Sequence, residues 1–155
     1  MSKRERLWTK DFLMVCTSNF LLFVSFYTLM VTLAMYSIKQ FQVSGSIAGL
    51  ASSIFVLGAV IVRPLAGNLL AKVGRKKLLL FGLALFLFFT LLYFPIDRIG
   101  WMLVTRFIHG FAFGISTTAT GTIVVDVIPA SRRGEGMGIL PQATTWQWQS
   151  ALFLD

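Results

Sequence analysis

Four long apolar runs, at approximately 12–36, 46–70, 78–96 and 101–128, constrain this chain more than anything else in it. A hydrocarbon core about 30 Å thick is crossed by roughly 20 mostly apolar residues wound as a helix. A helix satisfies its own backbone hydrogen bonds there, and an open strand does not. Each run is of about that length, so the pattern predicts an all-α integral membrane protein with four transmembrane helices. Composition agrees, with 56% hydrophobic residues, 13% charged and fifteen phenylalanines in 155 residues. A membrane β-barrel does not fit, because its strands alternate apolar and polar residues over much shorter spans. The second and fourth runs are rich in Gly, Ala, Ser and Thr, the residues that let membrane helices approach closely.

Ten of the fourteen cations fall on one side of such a topology: Lys3, Arg4, Arg6 and Lys10, then Lys72, Arg75, Lys76 and Lys77, then Arg132 and Arg133. The opposite loops hold Lys39 and Arg98, while Arg63 and Arg106 lie within or at the ends of apolar runs. The positive-inside rule therefore predicts a multi-pass protein of the cell membrane with its N-terminus in the cytoplasm. The formal charge of +8 is then a topology signal. It predicts contact with anionic headgroups of the lipid bilayer and no nucleic-acid partner, which would need one soluble basic face. The first run is too long for a cleaved signal peptide and lacks a small-residue cleavage site. Cys16 is the single cysteine, which excludes an intrachain disulfide and suggests a small packing residue. No His/Cys/carboxylate set suggests a metal, and no catalytic constellation or cofactor motif appears, so the chain does not read as an enzyme.

Between the second and third runs the chain reads Arg63-Pro64-Leu-Ala-Gly67-Asn-Leu-Leu-Ala71-Lys72-Val-Gly74-Arg75-Lys76-Lys77. Gly67 suits a close helix approach, and Gly74 suits a tight turn at positive φ. In the fourth run, Arg106 is followed by His109, Gly110 and Gly114. An arginine in hydrocarbon costs at least about 2.5 kcal/mol, so Arg106 calls for a wet cavity, a polar partner or a route to the interface. His109 lies three residues on, near the same helical face. It reads as a hydrogen-bonded cavity residue, with proton carriage as the alternative.

Together these segments resemble the major facilitator superfamily of transporters. Gly67, Lys72, Gly74, Arg75 and Lys76 fall in register with that family's motif between helices two and three. Ala71 stands where the family has an aspartate that helps hold the outward-open state, a contact alanine cannot make. Arg106 and Gly110 match an arginine and a glycine of the family's fourth helix, with His109 where Gln is common. The resemblance implies that Arg106 takes part in proton or substrate coupling. The segment Asp126-Val-Ile-Pro129-Ala-Ser-Arg132-Arg133-Gly134 resembles the family's loop after helix four. Asp126, near the cytoplasmic end, could pair with a loop arginine or stand as an exposed carboxylate at the interface. Helix one offers Asn19 and Tyr27, with Ser25, Thr28 and Thr32, as residues that could line a cavity; Ser and Thr can equally bond their own helix.

The implied fold is four transmembrane helices of the family's N-terminal half plus an incomplete fifth. The tail, about 139–155, is polar, interrupted by Pro141 and poorly suited to span. Read in a neighbouring frame, the codons for Thr144 to Asp155 can encode a Gly-Pro-x-x-Gly pattern resembling helix five of exporters. This predicts a frameshift near residue 140 in a roughly twelve-helix parent. The resemblance implies secondary transport by alternating access, proton-coupled efflux of a drug or metabolite, with the later helices missing and the substrate unspecified. An inactive truncated product and a small oligomeric membrane partner or channel subunit are the alternatives.

Overall fold

The computed structural model describes residues 8–129, and these form four helices: α1 Lys10–Phe41, α2 Gly45–Val73, α3 Arg75–Leu92 and α4 Ile99–Val127. Three of them, α1, α2 and α4, are long and apolar enough to cross a membrane. The shorter α3 has 18 residues and opens on Arg75, Lys76 and Lys77, so its apolar part begins at Leu78. It also stops at Leu92, before the expected end of its run at 96. Pro95 has no N–H and disfavours helical geometry in the residue before it. The chain turns instead, with Phe94 N–H donating to the Leu91 carbonyl at 3.3 Å and Ile96 N–H to that of Tyr93 at 3.4 Å.

The other boundaries have local causes as well. Thr9 caps α1, its hydroxyl accepting from Phe12 N–H at 3.2 Å, and Asp11 sits in the first turn, where the helix dipole favours a negative charge. Gln42 ends α1 in the left-handed region at φ 51°. Gly74, at φ +90°, both ends α2 and opens α3, as the sequence led us to expect of that glycine.

Successive helices run antiparallel, so α2 and α4 are parallel. Their contact is the most extensive in the bundle, and α4 also packs against α1 and α3. Of the most apolar stretch of α4, 61% is buried, against 17% for α1, which makes α4 the central helix. Glycine accounts for that intimacy. A Cβ on Gly58 would strike the Phe107 carbonyl oxygen, one on Gly110 that of Phe55, and one on Gly114 that of Ala59. Gly82 does the same for α3, where a Cβ would meet the Ser116 hydroxyl. Gly67 is a correction to the sequence reading: among the described residues a Cβ there meets nothing within 4 Å, and the close approach is made about two to three turns earlier in α2, at Phe55, Gly58 and Ala59.

The middle of the core is aromatic, with Phe55, Phe86 and Phe113 packed on Leu22, Ala59 and Ala112. Phe26 stacks on Phe55 at 5.1 Å between ring centroids. Outward faces are apolar too: Leu80 is 67% exposed, Phe88 57% and Phe94 86%. Surface of that kind belongs against lipid.

Candidate functional site

Arg106 is the largest fully buried side chain among the described residues, with 0% of its surface exposed. It lies seven residues into α4, about 10 Å from the start of that helix. Its Nε–H donates to the Ala51 carbonyl of α2 at 3.2 Å, and its guanidinium carbon sits 4.5 Å from the centroid of the Phe55 ring. Nη1 and Nη2 are buried without a hydrogen-bond partner among the described residues. The desolvated cation–π contact is worth about 2 kcal/mol, and the carbonyl bond adds to it. These offset much of the insertion cost while leaving two charged donors unanswered.

His109 is also fully buried, one turn further along. Its Nδ1 lies 3.0 Å from the hydroxyl of Tyr93, which caps the C-terminus of α3, and its Nε2 3.5 Å from the Thr90 hydroxyl on α3. Phe86, at 4.3 Å between centroids, and Phe55, edge-on at 5.4 Å, close the ring in. Gly110 completes this face by letting the Phe55 backbone come against α4. Arg106, His109 and Gly110 thus meet Ala51 and Phe55 of α2, Thr90 of α3 and Tyr93 at the C-cap of α3 in one polar cluster, fully buried at Arg106 and His109 and half-buried at Thr90 and Tyr93.

The remaining candidates lie elsewhere. Asn19 is nearly buried on α1 and accepts from Thr120 of α4 at 3.2 Å. Tyr27 is half-buried, with its ring 5.0 Å from that of Phe26 and 6.4 Å from that of Phe23. Lys72, Gly74, Arg75 and Lys76 gather at the opposite end of the bundle from Arg106. There Arg75 forms an ion pair with Asp126, both side chains about half exposed. Twenty residues of α4 separate Arg106 from Asp126, about 30 Å along the axis. Arg132, Arg133 and Gly134 lie outside the described residues, as does the tail at 139–155.

Sequence reading did not single out Thr90, Tyr93, Ala51 or Phe55. The signal for the first two was present. The bend at 93–98 makes α3 and α4 an antiparallel hairpin, which sets the end of α3 opposite the first turns of α4. No comparable count reveals Ala51 and Phe55, whose backbone and ring serve only because glycines let α2 and α4 approach.

Bundled apolar helices with lipid-facing sides and a buried polar cluster define a polytopic helical membrane protein. Its family is equally plain: the sequence profile of the Major Facilitator Superfamily matches residues 15–144, and the chain belongs to that family. It is 29% identical over 93 residues to a Bacillus subtilis (strain 168) protein called uncharacterized MFS-type transporter YtbD, covering 60% of this chain and 24% of that one. It is 26% identical over 121 residues to the quinolone resistance protein NorA of Staphylococcus aureus (strain MRSA252), covering 78% of this chain and 31% of that one. The chain thus spans about a quarter to a third of the length of these relatives.

Proposed function

We propose that these four helices belong to a secondary transporter of the cell membrane, N-terminus in the cytoplasm, that exports a drug-like molecule or metabolite in exchange for protons by alternating access. Transport is a property of the assembled whole, of which this chain supplies only part. The observation that carries the reading is Arg106: a fully buried cation with two donors that lack a hydrogen-bond partner among the described residues, on the helix that touches every other described helix. A charge so costly in a membrane marks a functional site by default. Family membership supports transport, and the name of the NorA relative supports efflux.

Arginine keeps its proton, so its part in coupling is electrostatic. It attracts an ionised carboxylate, of the transporter or of the substrate, and releases it when that group is protonated. Because α4 packs on α1, α2 and α3, a change in what Arg106 holds is felt across the bundle.

The test is a chimera in which residues 10–129 replace the corresponding helices of the NorA relative, with proton-driven dye efflux measured in everted vesicles. Efflux that disappears with Arg106→Ala is the expected result. A chimera that inserts and folds but shows no efflux overturns the proposal. Efflux by the 155-residue chain alone in proteoliposomes overturns the assignment of transport to a larger assembly. Ion conductance by a stable multimer of the chain would favour a channel subunit.

A further inference from the structure

We infer that His109 is a hydrogen-bond bridge of fixed direction, Tyr93 Oη–H to Nδ1 and Nε2–H to Thr90 Oγ1, and that through it Tyr93 is a positioning residue for the Arg106 guanidinium. The direction follows from counting hydrogens. Thr90 has one hydroxyl hydrogen, and it is given to the Phe86 carbonyl of its own helix at 2.9 Å. Towards Nε2 the Thr90 oxygen can therefore only accept. The Phe86 carbonyl, which never donates, also faces the imidazole. A neutral imidazole has one N–H, and the accepting Thr90 oxygen, 3.5 Å from Nε2, places it there. Nδ1 is left as an acceptor, so at 3.0 Å the Tyr93 hydroxyl must donate to it.

That donation fixes what the Tyr93 oxygen can still do. With its single hydrogen committed to His109, it has only lone pairs to offer, and the cation it interacts with is Arg106. Nη1 and Nη2 are the donors that lack an acceptor. The tyrosine oxygen, left with lone pairs only, is the kind of acceptor they lack. The groups that face His109 are Arg106 from α4, Thr90 and the uncharged Phe86 and Phe89 rings from α3, Tyr93 at the C-cap of α3 and the uncharged Phe55 ring from α2. Among the described residues none is a carboxylate. A second proton on Nδ1 would remove the acceptor Tyr93 needs, so His109 aims Tyr93 and does not carry protons. Any part the pair plays in transport rests on Arg106 as the coupling residue. The direction of the hydrogen bonds does not.

The chain contains one histidine, so isotope-labelled histidine gives a single imidazole signal set without assignment. Nitrogen NMR of the full chain in lipid nanodiscs at neutral pH should show a protonated, pyrrole-type Nε2 and a pyridine-type Nδ1 shifted by an accepted hydrogen bond. Tyr93→Phe should move Nδ1 toward the unbonded value and leave the proton on Nε2. A proton on Nδ1, protons on both nitrogens, or an Nδ1 indifferent to Tyr93→Phe overturns the bridge. The wild-type spectrum alone decides the tautomer if the variant does not fold. Positioning is read from the Arg106 side-chain nitrogen signals, identified by their loss in Arg106→Lys. They should shift in Tyr93→Phe and His109→Leu and stay in place in His109→Gln, whose amide can both donate and accept. Signals unchanged in the first two variants overturn the positioning role. None of these readings depends on transport, so they can fail while efflux by the chimera succeeds, and the reverse.

Discussion

Arg106 and the glycines beside it pull stability in opposite directions. The guanidinium is held by one carbonyl and one aromatic face, and two of its nitrogens have no acceptor among the described residues. Replacing a buried ionic group with an apolar one of similar volume is often neutral or stabilising by about 1–4 kcal/mol. Arg106→Met should therefore leave the thermal unfolding midpoint of the chain in detergent unchanged or higher, while abolishing efflux in the chimera. A large drop in the midpoint would make the arginine a structural residue instead. Gly110 should behave in the opposite way. A methyl group there meets the Phe55 carbonyl, part of a helix backbone that cannot turn aside. Overpacking of this sort costs about 1–3 kcal/mol, so Gly110→Ala should lower the midpoint. At Gly67 a methyl meets nothing among the described residues, and alanine in a helix is favoured over glycine by about 0.5–1 kcal/mol, so Gly67→Ala should raise it slightly. Equal midpoints for the two alanine variants would mean that α2 and α4 do not cross where the glycines place them.

Between elements, the basic turn and the end of α4 are joined by the pair Arg75–Asp126. Because Ala71 cannot supply the family's acid, Asp126 is the carboxylate that answers this turn among the described residues. Half-exposed pairs contribute about 0–1 kcal/mol and weaken with salt. A double-mutant cycle with Arg75→Ala and Asp126→Ala should give a coupling below about 1 kcal/mol that shrinks as salt is added; a salt-independent coupling of several kcal/mol would contradict that. The pair also shows what a sequence can convey. The four helices were legible because hydrocarbon thickness dictates run length, and the turn at Gly74 because few other residues accept its φ. Asp126 was legible as a carboxylate that could pair with a loop arginine or stand exposed; that it pairs, and with Arg75, depends on where the end of α4 lies against the start of α3. Arg106 and His109 stood out as polar groups in apolar sequence. Ala51, Phe55 and Thr90 did not, since each contributes a backbone carbonyl, a ring face or a self-satisfied hydroxyl that looks ordinary in a membrane helix. Gly67 was misread for the converse reason: spacing marks where a glycine lies along a helix, not which face another helix covers.

For the molecule as a whole, the polar cluster and the basic turn lie at opposite ends of one central helix, and the direction of that helix in the membrane decides which end meets the cytoplasm. Among the described residues, Lys72, Arg75, Lys76 and Lys77 lie at the end where α2 meets α3, while Lys39 and Arg98 lie at the other. Retention of basic loops in the cytoplasm is the stronger the shorter the loop, and the α2–α3 junction is a single glycine. Its cations should therefore fix α2 and α3 together and leave the bend at 93–98 outside. The measurement is side-specific labelling. With Cys16 replaced by alanine, a single cysteine is introduced as Phe94→Cys or Lys77→Cys, both at exposed positions. Intact cells are then treated with a membrane-impermeant maleimide. Phe94→Cys should label in intact cells, and Lys77→Cys only after the membrane is opened. The reverse pattern would invert the bundle, turning the Arg106 end toward the cytoplasm, and the exporter reading would have to be rebuilt on an arginine that meets the substrate at the opposite side of the membrane.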